Sequence, residues 1–460
     1  MDKTARGLAL LVAGAYFMEI LDATVIAPAA PHIAADLGVQ PVTVNVAITA
    51  YLLTLAVLIP ISGWLTERYG ARRVFAVAII VFTLASAGCA AAVNLPMLVG
   101  TRVLQGVGGA LMVPVGRLVV IRTTAKTDLV RAIAYLTWPA LAAPLLAPAL
   151  GGILSTYASW RLIFLINVPL GVVALLLARR LIPDVRADAP GRLDWRGFLM
   201  VAAGMAALVA GLEAVASQHP RRLLTLALLI FAATTLTITV RYLLRVSKPL
   251  VDLRVLRVRT YRVTALGGSI FRAAINAIPF LLPLLFQLGF GWTAAQAGLV
   301  VIALFAGNIG IKPVTTPLMR RFGMRPVMLG AVLASALCLL GIAALSATTP
   351  LIVTLAVLAL SGVFRSIGFT TYNTVAFADV PPARLTSANS LMSTIQELGA
   401  GLGVALGALL VRLGASFTEG VVPSFRVAFV ALAILLIIPA VEAFRLPGTA
   451  GNVVAGRSSP

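Results

Sequence analysis

The chain has 460 residues, 60% of them hydrophobic and 11% charged, with a mean hydropathy of +1.03. A soluble chain of this length carries about a quarter of its residues charged, so a water-exposed globular surface is excluded and an integral membrane protein is expected. The net charge of +21, from 36 basic and 15 acidic residues, would suggest nucleic acid in a soluble chain; here it is read as basic loops on the cytoplasmic side, with no nucleic-acid partner.

Long apolar runs exclude the alternating ten-residue strands of an outer-membrane barrel. The class expected is an all-α polytopic membrane protein. Hydropathy predicts span 1 over residues 7–28, span 2 over 44–66, span 3 over 74–93, span 4 over 96–121, span 5 over 132–157 and span 6 over 162–181. Spans 7 and 8 follow at 195–216 and 223–244. Spans 9 to 14 follow at 263–286, 294–319, 327–346, 351–377, 388–411 and 425–444, which makes fourteen transmembrane helices. The first run carries Glu19 and Asp22 and continues as a span, so no cleaved signal is expected. Cys89 and Cys338 lie in apolar runs, and His32 and His219 are read as distant loop residues. No set of them has metal-ligand spacing, so neither a metal nor another cofactor is expected.

Lysine and arginine set the orientation. With the N-terminus inside, the internal segments collect Arg68, Arg72 and Arg73, then Arg122, Lys126 and Arg131, then Arg179, Arg180, Arg186, Arg192 and Arg196, and later Arg320, Arg321 and Arg325. The external segments hold only Arg161, Arg221, Arg222, Arg412 and Arg426. Both termini are therefore expected in the cytoplasm.

Two loops repeat. Leu65-Thr66-Glu67-Arg68-Tyr69-Gly70-Ala71-Arg72-Arg73-Val74 joins spans 2 and 3, and Leu318-Met319-Arg320-Arg321-Phe322-Gly323-Met324-Arg325-Pro326-Val327 joins spans 10 and 11. Arginine, aromatic, glycine, any residue, arginine recurs in register. The spacing predicts two related six-span halves: an N-terminal bundle at 1–182 and a C-terminal bundle at 263–446. Two additional helices lie in the linker at 183–262, and residues 447–460 form a disordered cytoplasmic tail. Parallel repeats of this kind place a substrate site at the midplane between the halves.

These residues resemble the major facilitator superfamily, and within it the fourteen-span drug:proton antiporter group, closest to its MdtD-like multidrug-exporter branch. The resemblance covers nearly the whole chain. It rests on Gly63-Trp64-Leu65-Thr66-Glu67-Arg68-Tyr69-Gly70-Ala71-Arg72-Arg73 as the loop motif. Leu21-Asp22-Ala23-Thr24-Val25 with Pro31, Ile33, Asp36 and Leu37 matches the first-span motif. Arg102-Val103-Leu104-Gln105-Gly106-Val107-Gly108-Gly109 matches the fourth-span motif, and Pro148-Ala149-Leu150-Gly151-Gly152 the end of the antiporter motif. Trp160-Arg161-Leu162-Ile163-Phe164-Leu165-Ile166-Asn167-Val168-Pro169 is similar to a further stretch of the group. Ala147 stands where that motif usually has glycine, and its earlier glycine is missing among Trp138, Pro139 and Ala140. The resemblance implies the major facilitator fold: two six-helix bundles plus two inserted helices, working as a monomer in the bacterial inner membrane. It implies no enzyme activity, and protons and a small molecule as partners besides the lipid.

An ionised group at the bilayer centre costs roughly 2.5–3.5 kcal/mol on insertion scales unless it faces protein or water. Glu19 and Asp22, three residues apart, share one face of span 1. Asp22 lies about 22 Å from the inner end and Arg102 about 9 Å from the outer end of span 4, a similar depth. Proton coupling is therefore assigned to Asp22, Glu19 and Arg102, and a fixed Asp22–Arg102 bridge is the alternative. Arg272 and Asn276 share a face of span 9, and Arg365 and Asn373 lie in span 12. With Arg117, Gln105 and Tyr16 these are the candidate substrate-binding residues. Lys312 and Glu397 have similar depth and could form an ion pair. The resemblance implies gating by Glu67, Arg68, Gly70, Arg72, Pro148, Gly151 and Gly152, with Glu67 facing the start of span 13 near Ser387 and Asn389. The function expected is proton-coupled export of small amphipathic or drug-like molecules. The alternative is export of organic anions such as carboxylic acids or their metal chelates, bound by the intramembrane arginines. No H-E-x-x-H or G-x-S-x-G motif supports an enzyme.

Overall fold

The computed structural model describes residues 3–123, 129–183, 193–215, 222–246, 249, 251–381 and 385–446. The expected tail at 447–460 and the loop residues Lys126, Arg186, Arg192, His219 and Arg221 lie outside them. Every regular element among the described residues is helical. In chain order they are α1 (Lys3–Leu37), α2 (Asn45–Tyr69), α3 (Ala71–Ala90), α4 (Leu95–Thr123), α5 (Leu129–Tyr157), α6 (Leu162–Leu165) and α7 (Asn167–Leu181). α8 (Trp195–Val215) and α9 (Arg222–Arg245) follow. Then come α10 (Arg259–Leu284), α11 (Ala294–Gly310), α12 (Lys312–Phe322), α13 (Met324–Ala344), α14 (Leu351–Ala378), α15 (Leu385–Phe417), α16 (Val421–Leu435) and α17 (Ile437–Phe444). Among the described residues twelve helices are long and apolar enough to cross a membrane, with two shorter apolar stretches at Ala142–Tyr157 and Trp195–Leu208.

Proline explains where hydropathy misplaces helix ends. Spans 6, 10 and 14 are each interrupted, at Ile166, Ile311 and Leu436. Pro169, Pro313 and Pro439 follow within three residues and cannot donate to the helical ladder. The backbone at each interruption stays in the right-handed helical region, so the chain keeps its course. Span 1, by contrast, was expected to stop at residue 28, yet α1 runs through Pro28 and Pro31 to Leu37. His32 is thus helical rather than in a loop. A contact from the other half also reaches this stretch: Gln287 Nε2 donates to Pro28 O at 2.9 Å.

The repeat is visible in the packing. In the first half α1 packs on α5, α4 on α2 and α3, and α3 on α7; in the second α10 packs on α15, α14 on α11 and α13, and α13 on α16. Between the halves, α5 packs on α11 and α15 on α2, the exchange a pseudo-twofold requires. The two basic turns share a backbone: Gly70 has φ 86° and Gly323 φ 88°, a region open to glycine. Each glycine N–H returns to the carbonyl four residues back, Thr66 and Met319. Helices α8 and α9 form a hairpin. Its α8 touches α2 and α15, whereas α9 is the least buried of the twelve long apolar helices and α10 the most.

Candidate functional site

Five helices seal Asp22 inside the first half. Its carboxylate pairs with Arg102 Nη1 of α4. The other oxygen, Oδ1, accepts from Gln105 Nε2 at 2.7 Å and from Asn167 Nδ2 of α7 at 2.8 Å. Arg102 also donates to Gln105 Oε1 at 2.7 Å, and its guanidinium lies 4.0 Å from the centre of the Tyr51 ring of α2. Gln105 donates to Ser86 Oγ of α3 at 2.7 Å. Cys89 Sγ donates to Gln105 Oε1 at 3.4 Å. Asp22, Arg102, Gln105, Ser86, Asn167 and Tyr51 are all fully buried. Three groups among these residues, Arg102 Nη2, Asn167 Oδ1 and the Tyr51 hydroxyl, have no hydrogen-bond partner among the described residues.

The depth estimate thus brings Asp22 and Arg102 together, while Gln105, expected to contact substrate, belongs to their network instead. Asn167, Ser86 and Tyr51 were missed. Asn167 lies within a quoted motif, and its amide in an apolar span was the available signal. Other motifs meet nearby. Asp36 accepts from Arg161 Nη1 at 2.5 Å and Trp160 Nε1 at 3.1 Å, and Arg161 also donates to Ala92 O at 3.2 Å.

The second half holds a different constellation. Arg272 Nη2 of α10 donates to Asn373 Oδ1 of α14 at 2.6 Å, and Arg365 Nη2 of α14 donates to Asn276 Oδ1 of α10 at 3.1 Å. Each helix supplies one arginine and one asparagine to a crossed pair. Phe369 lies between them, 5.1 Å from the Arg272 guanidinium and 5.3 Å from that of Arg365. Among the described residues neither arginine has a carboxylate within 4.0 Å, and Arg365 Nε and Nη1 are buried without a partner. Gln396 of α15 donates to the same Asn373 oxygen at 3.0 Å.

Glu397, next along α15, interacts electrostatically with both Arg272 and Glu19. Tyr16 is half-buried and in electrostatic reach of Glu19, Glu397 and Arg117. These groups line up between the halves. The Lys312–Glu397 pair is not formed. Lys312 is exposed at the start of α12, where the interruption at Ile311 ends the continuous helix from which its depth was counted. Arg117 is exposed on α4. Phe271 and Phe280 are buried packing residues.

The halves are pinned together at one end. Gln287 reaches Pro28, Arg412 Nη2 donates to Thr43 Oγ1 at 2.9 Å, and the Ala295 N–H donates to Thr156 Oγ1 at 3.0 Å. The expected gating glycines make this approach possible. A Cβ on Gly151 would strike the Val25 carbonyl of α1, and one on Gly152 would strike the Ala294 carbonyl of α11. Gly298 of α11 lies equally close to Pro148 O. At the opposite end, Arg72 Nε donates to Ile182 O at 2.6 Å, tying the loop motif to the end of α7. Arg68 lies 5.9 Å from the Trp64 ring, which meets Trp195 of α8 edge-on at 6.0 Å. Glu67 is half-buried; Ser387 and Asn389, its expected partners, have side chains outside the described set.

A family model described as the Major Facilitator Superfamily matches residues 12–403 and 264–452. A relative from Enterobacter sp. (strain 638), named "Putative multidrug resistance protein MdtD", is 36% identical over 467 residues, covering 99% of this chain and 98% of its own. Among solved structures, a bacterial homolog of the human lysosomal transporter Spinster, inward-facing and unoccupied, superposes with a TM-score of 0.68 at 16% identity over the full length of both chains. A D-xylose–proton symporter does so with 0.69 at 15% identity, over 97% of this chain and 99% of its own.

Proposed function

We propose, because the chain belongs to the major facilitator superfamily, that it is a proton-coupled exporter of small amphipathic, drug-like molecules working by alternating access. It is a multi-pass membrane transporter and not an enzyme. In this reading fourteen spans place both termini in the cytoplasm, and a monomer acts in the bacterial inner membrane.

One observation carries the proposal. The hydrogen bonds Pro28–Gln287, Thr43–Arg412 and Thr156–Ala295 close the end away from the basic loops. With those loops in the cytoplasm, this reading puts the approach to Arg272, Arg365 and Glu397 on the inner side, where cargo loads. Asp22 belongs to the same end. Protonating it removes the charge that holds Arg102. Arg102 can then turn its unpartnered Nη2 to another acceptor and loosen α1 from α4. Loss of the proton to the cytoplasm restores the pair and the closed outer end. Burial makes this swap consequential, because a guanidinium without its acid is costly in a dry site.

The test is reconstitution into vesicles enclosing a pH-sensitive dye. Adding a transported compound should move protons in the wild type and not in Asp22→Asn. Equal proton movement in both would refute the assignment. The second reading, an organic-anion cargo, is favoured by two intramembrane arginines that have no carboxylate within 4.0 Å among the described residues. It predicts that carboxylic acids bind and that Arg272→Ala or Arg365→Ala abolishes this. Transport of cationic dyes, with acids indifferent to both variants, would exclude it.

A further inference from the structure

The C-terminal half carries a groove that the crossed arginine–asparagine pairs do not line. It has a volume of about 330 Å³ and lies where α12, α13 and α14 meet. Leu318 and Phe322 of α12 form one wall, Pro326 and Gly330 of α13 the second, and Phe364 and Ile367 of α14 the third. Every lining side chain is apolar. The opening has a sequence cause: α12 is separated from α11 by the Ile311 interruption and touches α13 and α14 only lightly, whereas those two pack along their length. Gly330 completes it. A Cβ there would meet nothing within 4 Å, and the residue in the same register of the first-half repeat is Val77.

The mouth is basic. Phe322 and Pro326 flank the turn at Gly323, and Arg320, Arg321 and Arg325 sit on that turn. Arg320 and Arg321 are exposed, and the Arg321 guanidinium lies 5.5 Å from the centre of the Phe322 ring at the groove's edge. Arg325 lies 5.1 Å from the Phe444 ring of α17. An apolar slot inside the membrane, capped by guanidiniums at the headgroup level, matches one ligand class in both parts.

We propose that this groove binds an acyl chain of an anionic phospholipid, with its phosphate held by the Arg320, Arg321 and Arg325 rim. The arginine fork suits a phosphate oxygen pair. The chain lies along Phe364, one residue before Arg365, so an occupied groove also braces the helix that carries a chamber arginine. The proposal requires that the chain span a membrane, not that it move protons, so the two readings fail separately.

The experiment uses the full-length protein in detergent, incubated with phosphatidylglycerol or phosphatidylcholine, with retained lipid counted by native mass spectrometry. The wild type should retain phosphatidylglycerol at least fivefold over phosphatidylcholine. Gly330→Leu, which fills the slot, and the double variant Arg321→Gln/Arg325→Gln should both fall to the phosphatidylcholine level. If Gly330→Leu elutes as aggregate, Gly330→Ala and the arginine variant decide. Glycerol 3-phosphate should not compete at the lipid's concentration; competition would mean that the chain contributes nothing and would overturn the proposal. Equal retention of both lipids, or retention unchanged by the variants, would overturn it too. So would a Gly330→Leu protein that keeps its lipid but stops moving cargo, since the groove would then belong to the transport path.

Discussion

The two halves bury arginine in opposite ways. In the first, Arg102 is fully buried, paired with Asp22 and set against the Tyr51 ring. In the second, Arg272 and Arg365 donate to asparagine oxygens and lie against the Phe369 ring, and Glu397 reaches Arg272 only from beyond ion-pair distance. A neutral amide oxygen satisfies a donor but leaves the charge standing. The first site is therefore self-neutralised and can be dry, whereas the second needs an anion or the water of a chamber. Related folds in the two halves have been given different electrostatic tasks: one holds its own counter-ion, and the other waits for one.

The largest expected effect breaks the first site. Asp22→Ala leaves the Arg102 guanidinium unpaired in a sealed pocket, and losing one partner of a buried pair costs about 3–5 kcal/mol. Arg272→Gln removes a charge that no directly paired acid balances and should cost about 1 kcal/mol, the worth of its hydrogen bond to Asn373. Thermal unfolding of both variants in one detergent checks the contrast. Equal destabilisation would mean that Arg272 is as much a structural element as Arg102.

Next is the closed end that covers Asp22. At Gly152 the backbones of α5 and α11 touch, so Gly152→Val must push them apart, at an overpacking cost of about 1–3 kcal/mol. The Thr156–Ala295 hydrogen bond should be lost. Thiol labelling of an Ala295→Cys reporter should rise severalfold in the Gly152→Val background. Unchanged labelling would show that this end is not held by the glycine contact.

What the sequence revealed divides along physical lines. The Asp22–Arg102 pair was legible because charge in an apolar span is expensive and depth follows from helical rise. Lys312 and Glu397 defeated the same reasoning. Depth ignores which way a side chain faces, and Pro313 interrupts the helix from which that depth was counted. Asn167, Ser86 and Tyr51 gave no comparable signal, since uncharged polar groups cost little enough to appear anywhere. The repeated basic turns were readable down to their glycines, because a positive φ leaves few alternatives. The run of α1 through two prolines was not readable, because a proline in an apolar run reads as a helix end, and what tolerates it is the packing of helices remote in sequence around α1.

A smaller effect sharpens the second site. Arg365→Gln keeps a donor for Asn276 while removing a guanidinium with two unpartnered nitrogens. Affinity for a carboxylic acid should fall about tenfold, or 1.4 kcal/mol. The unfolding midpoint should hold steady or rise, because an unsatisfied charge is removed. Isothermal titration and a melting curve on the same preparation separate the two. A lower midpoint with intact acid binding would assign Arg365 to the scaffold.

The smallest expected effect tests whether burial, rather than the chemistry of the pair, separates these sites. Asp36 and Arg161 form the same kind of ion pair as Asp22 and Arg102, but with side chains 44% and 35% exposed. Water screens both partners, so the pair is worth about 0–1 kcal/mol. Asp36→Asn keeps an oxygen for Trp160 Nε1 and Arg161, which lowers the cost further. Its unfolding midpoint should sit within a few degrees of wild type, and raising the salt to 1 M should shrink the gap, because exposed charges are screened over about 3 Å there. Asp22→Ala should be indifferent to the same salt. If Asp36→Asn proved as damaging as Asp22→Ala, or if salt rescued both alike, the seal around Asp22 would not be what makes that pair matter.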